Sequence, residues 1–265
     1  MRTIVAVVAL VAAAVVAGVV FATRQDPAQP KARCKDGVPA GIYPSASTRN
    51  VKAVQKALAK GPKGAARALE ALAAEQPNDP VVQFNYGTAL FCAGFDAEAA
   101  QAYRRAKKTG RDTRYQVVAD NVLHPRFFDQ GYPLFQYSGH DPLLIQGQVA
   151  QRNFHQETAE RLWARAAKLH PNDPEAQVAA AVGRFDMDNL SASFSRLGPL
   201  ATRFPKSQSV RFHLGLLLVW TGQGRDLILK EFRLAYRLGP STVLGTQAKG
   251  FLDRLASGGT KPSKR

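Results

Sequence analysis

Apolar and polar positions fall into three regimes along the chain. Ile4 to Ala22 is a run of 19 uncharged, almost wholly apolar positions preceded by Arg2. At 1.5 Å of rise per residue, such a helix nearly spans the roughly 30 Å hydrocarbon core of a bilayer. It predicts a membrane anchor within residues 1–23, entering the bilayer through residues 4–22. The apolar stretch of a secretory signal is usually shorter, about 7–15 residues, although Val20 and Ala22 leave cleavage open. Cys34 stands too far from this run to carry a lipid anchor. Residues 24–45 contain Pro27, Pro30, Pro39 and Pro44 and show no apolar period, which predicts a semi-extended tether. From 46 to 256 apolar positions recur at helical spacing, with no convincing strand run, and residues 257–265 read as a disordered basic tail.

Within the helical body the pattern repeats. Counting from Pro80, small residues stand at Gly87, Gly94 and Ala99, a ring at Tyr103 and another alanine at Ala106. From His140 the same offsets give Gly147, Ala159, Trp163, Ala166 and Pro171. From Pro174 they give Ala181, Ser193, Leu197, Leu200 and Pro205. From Gln208 they give Gly215 and Gly222, then, after one extra residue, Ile228, Phe232, Ala235 and Pro240. The starts at 140, 174 and 208 are 34 residues apart, and a weaker unit, Ala46 to Asp79, precedes Pro80 by the same distance. Each unit reads as two helices. A small residue on the first admits the second closely, the ring fills the space between pairs, and the proline stops the run.

These residues resemble the tetratricopeptide repeat family over roughly Ala46 to Ser241, most closely at Phe84–Ala106 and Leu214–Pro240. The resemblance implies an all-α, tetratricopeptide-like helical-repeat solenoid, here behind an amino-terminal transmembrane helix. It also implies a concave surface built by the first helix of each pair. The family's groove offsets fall on Phe84, Thr88, Phe91 and Cys92, on Leu144, Gln148, Gln151 and Arg152, on Val178, Val182, Phe185 and Asp186, and on Phe212, Leu216, Val219 and Trp220. Members that grip a terminal carboxylate use lysines and asparagines there. Only Asn85 comes near that pattern, so the expected groove is apolar. It holds either a protein or peptide partner or the chain's own aromatic insertion.

That insertion, Arg114 to Gly139, interrupts the period with 26 residues. Tyr115–Leu123 can form one helix, whereas Pro125 and Pro133 argue for loop beyond it. Six rings lie within it, too many for a solvated loop, and Phe127, Phe128, Tyr132 and Phe135 are expected to be buried. After Pro240, residues 241–256 place Val243, Ala248, Phe251, Leu252 and Leu255 on one face, predicting a helix that seals the stack.

Charge adds a second reading. With 36 basic and 20 acidic residues the chain carries +16, which favours anionic partners such as a polymer or lipid surface. The densest patch is Arg104, Arg105, Lys107, Lys108, Arg111 and Arg114. No nucleic-acid motif accompanies it, and a nucleic-acid partner is not expected. The five histidines are scattered without metal-ligand spacing, and there is no phosphate-binding loop or nucleophile elbow. A catalytic role, a metal and a cofactor are not expected, though an accessory subunit of an envelope enzyme system is a third reading. Flanking charges (Arg2 against Arg24, Lys31, Arg33 and Lys35) favour a cytoplasmic body. The Val20/Ala22 pair and the even cysteine count favour an extracytoplasmic body on a single-pass anchor, the orientation expected here. Cys34 and Cys92 are the whole cysteine complement, and we expect a disulfide between them that pins the tether to the repeat beginning at Pro80.

Overall fold

The computed structural model describes residues 33–43, 50–125 and 133–257, all within one compact unit. The apolar run 4–22, the remainder of the tether, Phe127, Phe128 and Tyr132 lie outside the described residues. Among the described residues no helix is long and apolar enough to cross a membrane.

The described chain forms an all-α helical repeat. Its helices are α1 (Val51–Leu58), α2 (Gly61–Glu75), α3 (Pro80–Ala93), α4 (Asp96–Thr109), α5 (Arg114–Leu123) and α6 (Pro142–Arg152). There follow α7 (Gln156–Leu169), α8 (Pro174–Gly183), α9 (Leu190–Arg203), α10 (Gln208–Trp220), α11 (Arg225–Leu238) and α12 (Val243–Ala256).

Local chemistry sets where the first helix of each pair from α3 onward begins. Asp79, Asp141 and Asp173 each precede a proline and accept hydrogen bonds from backbone N–H groups of the first turn; Thr113 and Ser207 do the same for α5 and α10. A short acceptor side chain followed by proline satisfies an orphan donor and pre-sets the first turn, so an Asp-Pro step is a strong start signal. Gly94 ends α3 in the left-handed region, at φ 93°, where a residue with a side chain would be strained.

The two helices of a pair meet where the repeat places its small residues. A Cβ on Gly87 would come within 3.0 Å of the Tyr103 ring, and one on Gly215 within 2.9 Å of Phe232. Trp163 is fully buried against Gly147, and its Nε1 donates to the Leu144 carbonyl at 3.2 Å. At the far end Phe251 of α12 stacks on Phe232 at 4.6 Å between ring centroids, covering the last pair.

The array breaks later than the period suggests. α5 starts 34 residues after Pro80, is capped by Thr113, and packs on α3 and α4 through Tyr115 and Ala119. It stands where the first helix of a further pair would stand, with no second helix following it among the described residues, so Arg114–Leu123 belongs to the array rather than to the insertion. Pro125 explains the stop, because the residue before a proline is driven out of helical conformation. One apolar core therefore runs through α1–α5 together with Val38, Ile42 and Tyr43 of the tether. Another runs through α6–α10 with Phe135, and a third closes on α12.

The join between the two halves is polar. Arg111 forms a two-pronged ion pair with Glu157, at 2.7 and 3.2 Å. The Asp112 carboxylate accepts from the Thr158 N–H and hydroxyl. Lys107 donates to Asp120 at 2.7 Å and to Asp188 at 3.0 Å, and His124 Nε2 reaches Asp188 at 2.9 Å.

Candidate partner grooves

Each half presents a groove along its first helices, and in each an extended segment of the same chain lies against it. In the first half that segment is the tether. The Arg33 N–H donates to the Cys92 carbonyl at 2.7 Å, and Cys34 is bonded to Cys92 with the Cα atoms 5.0 Å apart. The Arg33 guanidinium makes two 2.7 Å bonds to Asp96 and sits 5.1 Å over the Phe91 ring. Further along, Asn85 clips the backbone of Gly41 from both sides. Its Oδ1 accepts the Gly41 N–H at 2.8 Å, and its Nδ2 donates to the Gly41 carbonyl at 3.0 Å. The Tyr115 hydroxyl donates to the same carbonyl at 3.0 Å, and burial pushes its pKa up to about 12. A Cβ at Gly41 would collide with the Phe84 ring, so only glycine fits there. Asn85, the nearest match to a carboxylate clamp, is thus fully buried and holds the tether instead.

The tether covers only one wall. Beside it an open groove of about 940 Å³ remains between α3, the amino-terminal half of α4 and α5, lined mainly by apolar side chains. Its floor includes Phe84, Thr88, Tyr103, Val118 and Val122, and Phe91 stands 43% exposed at its edge. The groove stays open where α5 ends at Leu123, with the half-buried Ala100 of α4 in its wall.

In the second half the occupant is Pro133–Tyr137, and it seals the surface. Gln151 Oε1 accepts the Phe135 N–H at 2.9 Å while its Nε2 donates to the Pro133 carbonyl at 3.0 Å. Gln148 donates to the Phe135 carbonyl at 3.2 Å. The Gln136 N–H reaches His213 Nε2 at 3.1 Å, and His213 Nδ1 lies 2.8 Å from the Ser209 carbonyl. These bonds define a neutral imidazole protonated on Nδ1, and complete burial pushes the His213 pKa down to about 4. Phe135 is 1% exposed, edge-on to Trp163 and beside the His213 ring.

The residues read from the groove offsets therefore part company. Phe84, Thr88 and Phe91 line the open groove. Leu144, Gln148 and Gln151 are buried by the strap Pro133–Tyr137, and Val178, Val182 and Phe185 are buried in the second core. Phe212 is not a groove residue: it lies in the end core against Phe232 and Phe251. Leu216 and Val219 are half-buried beside it. The offsets miss Val118 and Val122, which stand on α5 where Phe84 and Thr88 stand on α3. Extending the 34-residue count from Pro80 to Arg114 would have found them.

The basic patch also divides. Lys107 and Arg111 are engaged across the join, and the Arg114 guanidinium lies between the Tyr43 and Phe154 rings, at 4.3 and 4.7 Å. Arg104, Arg105 and Lys108 are exposed and make no ion pair among the described residues. Asp120, His124 and Asp188 bring potential ligand atoms within 4.8 Å of one another. The Lys107 ammonium already shares both carboxylates, so the cluster is accounted for as the ionic link between the halves.

No protein-family model matches the chain, and no curated protein matches it. One solved structure that does, the crystal structure of YrrB, is described as a TPR protein with an unusual peptide-binding site. It is 15% identical and covers 71% of this chain and 84% of its own, with a TM-score of 0.32. At that level of likeness the helical-repeat architecture rests on this chain's own helices and their period.

Proposed function

We propose that this chain is a non-catalytic, tetratricopeptide-like scaffold that binds a protein or peptide segment through the open groove between α3, α4 and α5. One observation carries the reading. The second half's groove is filled by the strap, whereas the first half keeps about 940 Å³ of mainly apolar space beside a covalently fixed tether. Apolar concavities of this size with a few placed polar groups are where proteins bind ligands. In this proposal residues 4–22 anchor the chain in the cell membrane and the body stands on the extracytoplasmic side of the envelope, where a disulfide persists. Binding to an anionic polymer or lipid surface is the weaker reading, because Lys107 and Arg111 are engaged internally. A photo-crosslinking side chain at Phe91, compared with one at the exposed Val149, tests the groove in intact cells. A discrete adduct at Phe91 alone is expected; equal labelling at both positions would sink the proposal.

A further inference from the structure

From the open groove's lining we infer the chemistry of its ligand: an extended segment that inserts an aromatic side chain and carries an acidic residue a few positions away. The inference rests on the groove being a peptide site, and adds what the peptide must look like. Three features of the molecule point to it.

The first is how this fold treats the two segments it already holds. Both the tether at Gly41 and the strap at Phe135 are non-helical, and in each an amide side chain from the first helix of a pair takes the backbone N–H and a carbonyl. An extended backbone offers those groups, whereas a helix keeps them for itself. The open groove has an amide in its wall that could do the same. Asn121 lines it from α5, and its Oδ1 is buried with no hydrogen-bond partner among the described residues. A buried, unpaired acceptor is costly, and turning this amide into the groove would let a guest backbone N–H satisfy it.

The second is the apolar lining. Phe84 and Tyr103 pack 5.3 Å apart on the floor, and Phe91 stands at the edge. In the second half a comparable floor takes Phe135 against Trp163 at 5.3 Å. Edge-on ring contacts of this kind favour an aromatic guest over an aliphatic one of equal area.

The third is charge at the rim. Arg104 lines the groove, is exposed, and makes no ion pair among the described residues; Lys108 stands one turn further along α4 in the same condition. The other rim cation, Arg33, is already paired with Asp96. A carboxylate on the guest would meet Arg104 in the charge-assisted geometry guanidinium groups favour.

A library of linear heptapeptides displayed on phage, selected against the full chain in detergent micelles, supplies the probe. The expected consensus is an aromatic residue with Asp or Glu two to four positions away. Filling the groove with Thr88→Arg should weaken the selected peptide by about tenfold or more, the loss of one charge-scale contact set. Ala100→Trp serves as a second block should Thr88→Arg disturb the Tyr103 hydroxyl bond to Thr88. Reselection on Arg104→Glu should exchange the acidic flank for Lys or Arg. Groove-dependent peptides with no acidic preference, or none that changes with Arg104→Glu, overturn this inference and leave the peptide-binding reading standing. Peptides indifferent to both blocking variants overturn that reading as well. Two other occupants have their own signatures, and either would overturn an outside ligand. If no peptide is selected until Phe127→Ser and Phe128→Ser are introduced, the guest is this chain's own segment. Self-association abolished by Thr88→Arg would make it a second copy.

Discussion

The two halves of the array solve one problem in opposite ways. Each has an apolar surface along its first helices, and each lays an extended piece of its own chain there. The strap Pro133–Tyr137 drives a ring, Phe135, into the centre of the second surface and is held by five side-chain hydrogen bonds from Gln148, Gln151 and His213. The tether lies along one wall of the first, packs Val38, Ile42 and Tyr43 against its core, and is fixed at one end by a covalent bond and at the other by Asn85 and Tyr115. A segment held by burial alone must fill its groove. One held by a disulfide need not, and the open space beside the tether is the consequence. What keeps a surface available here is the means of attachment, not its hydrophobicity.

The largest expected effect comes from removing the ring that seals the second half. Phe135→Ala should destabilise the body by about 3–5 kcal/mol, the usual cost of truncating a buried aromatic residue. Leu134→Ala, next to it but 43% exposed, should change stability by less than about 0.5 kcal/mol. Urea unfolding of the two variants measures the contrast. Similar small losses from both would mean that the strap is only lightly seated.

The second effect is smaller and belongs to the other half. Replacing Cys34 and Cys92 with serine should cost about 2–4 kcal/mol, since the bond closes a loop of 58 residues in the unfolded chain. Amide exchange should quicken across 33–43 while the Phe135 and Gln136 amides keep their protection. Equal loosening of the strap would show that the polar join transmits strain, and the two halves could no longer be treated as separate cores.

Much of this architecture was legible because its signals are local. Asp79-Pro80, Asp141-Pro142 and Asp173-Pro174 announce helix starts by their own chemistry, and the Gly87/Tyr103 and Gly215/Phe232 pairs announce close approach by volume alone. The cysteine pair was legible because there were only two candidates and one lay on the groove side. The state of each groove was not. An apolar residue at a groove offset has the same identity whether it meets a partner, the strap or the core, which is why Phe212 reads like Phe84 and is buried elsewhere. α5 reads as part of the insertion because the repeat pattern is not continued in the sequence after it, and a period is hard to see from half a unit. Asn85 and Gln151 stand out in the sequence without showing what they hold: a buried amide clipping a backbone depends on a segment 44 or 16 residues away.

A change of pH should have the smallest net effect on stability, and the two grooves should differ in kind. Among the described residues, the tether's clip at Gly41 uses an amide and a phenol raised to about 12, neither of which titrates between pH 4 and 7. The strap's clasp does titrate. His213, fully buried, has its pKa pushed down to about 4 by desolvation, so the folded state favours the neutral ring. Its stabilising contribution is complete above the unfolded value of about 6.5 and is lost as pH falls from there to about 4. Beyond Ser209, against which His213 lies, Glu175 behaves oppositely. Desolvation, with a smaller push from Asp173, raises its pKa to about 7, and its Oε2 is buried without a partner. Its contribution is complete below the unfolded value and is lost as pH rises through 4.5 towards 7. Each slope is at most about 1.4 kcal/mol per pH unit, so the two nearly cancel between about pH 4.5 and 6.5. Stability measured by urea unfolding should therefore be almost flat across that window in the native chain. Glu175→Gln removes one limb and should uncover the other, giving stability that falls steadily on acidification from pH 6.5, with the strap amides losing protection before those of 33–43. A profile that stays flat in Glu175→Gln would mean that His213 does not hold the strap as a neutral acceptor, and the contrast between a titrating clasp and a covalent one would fail.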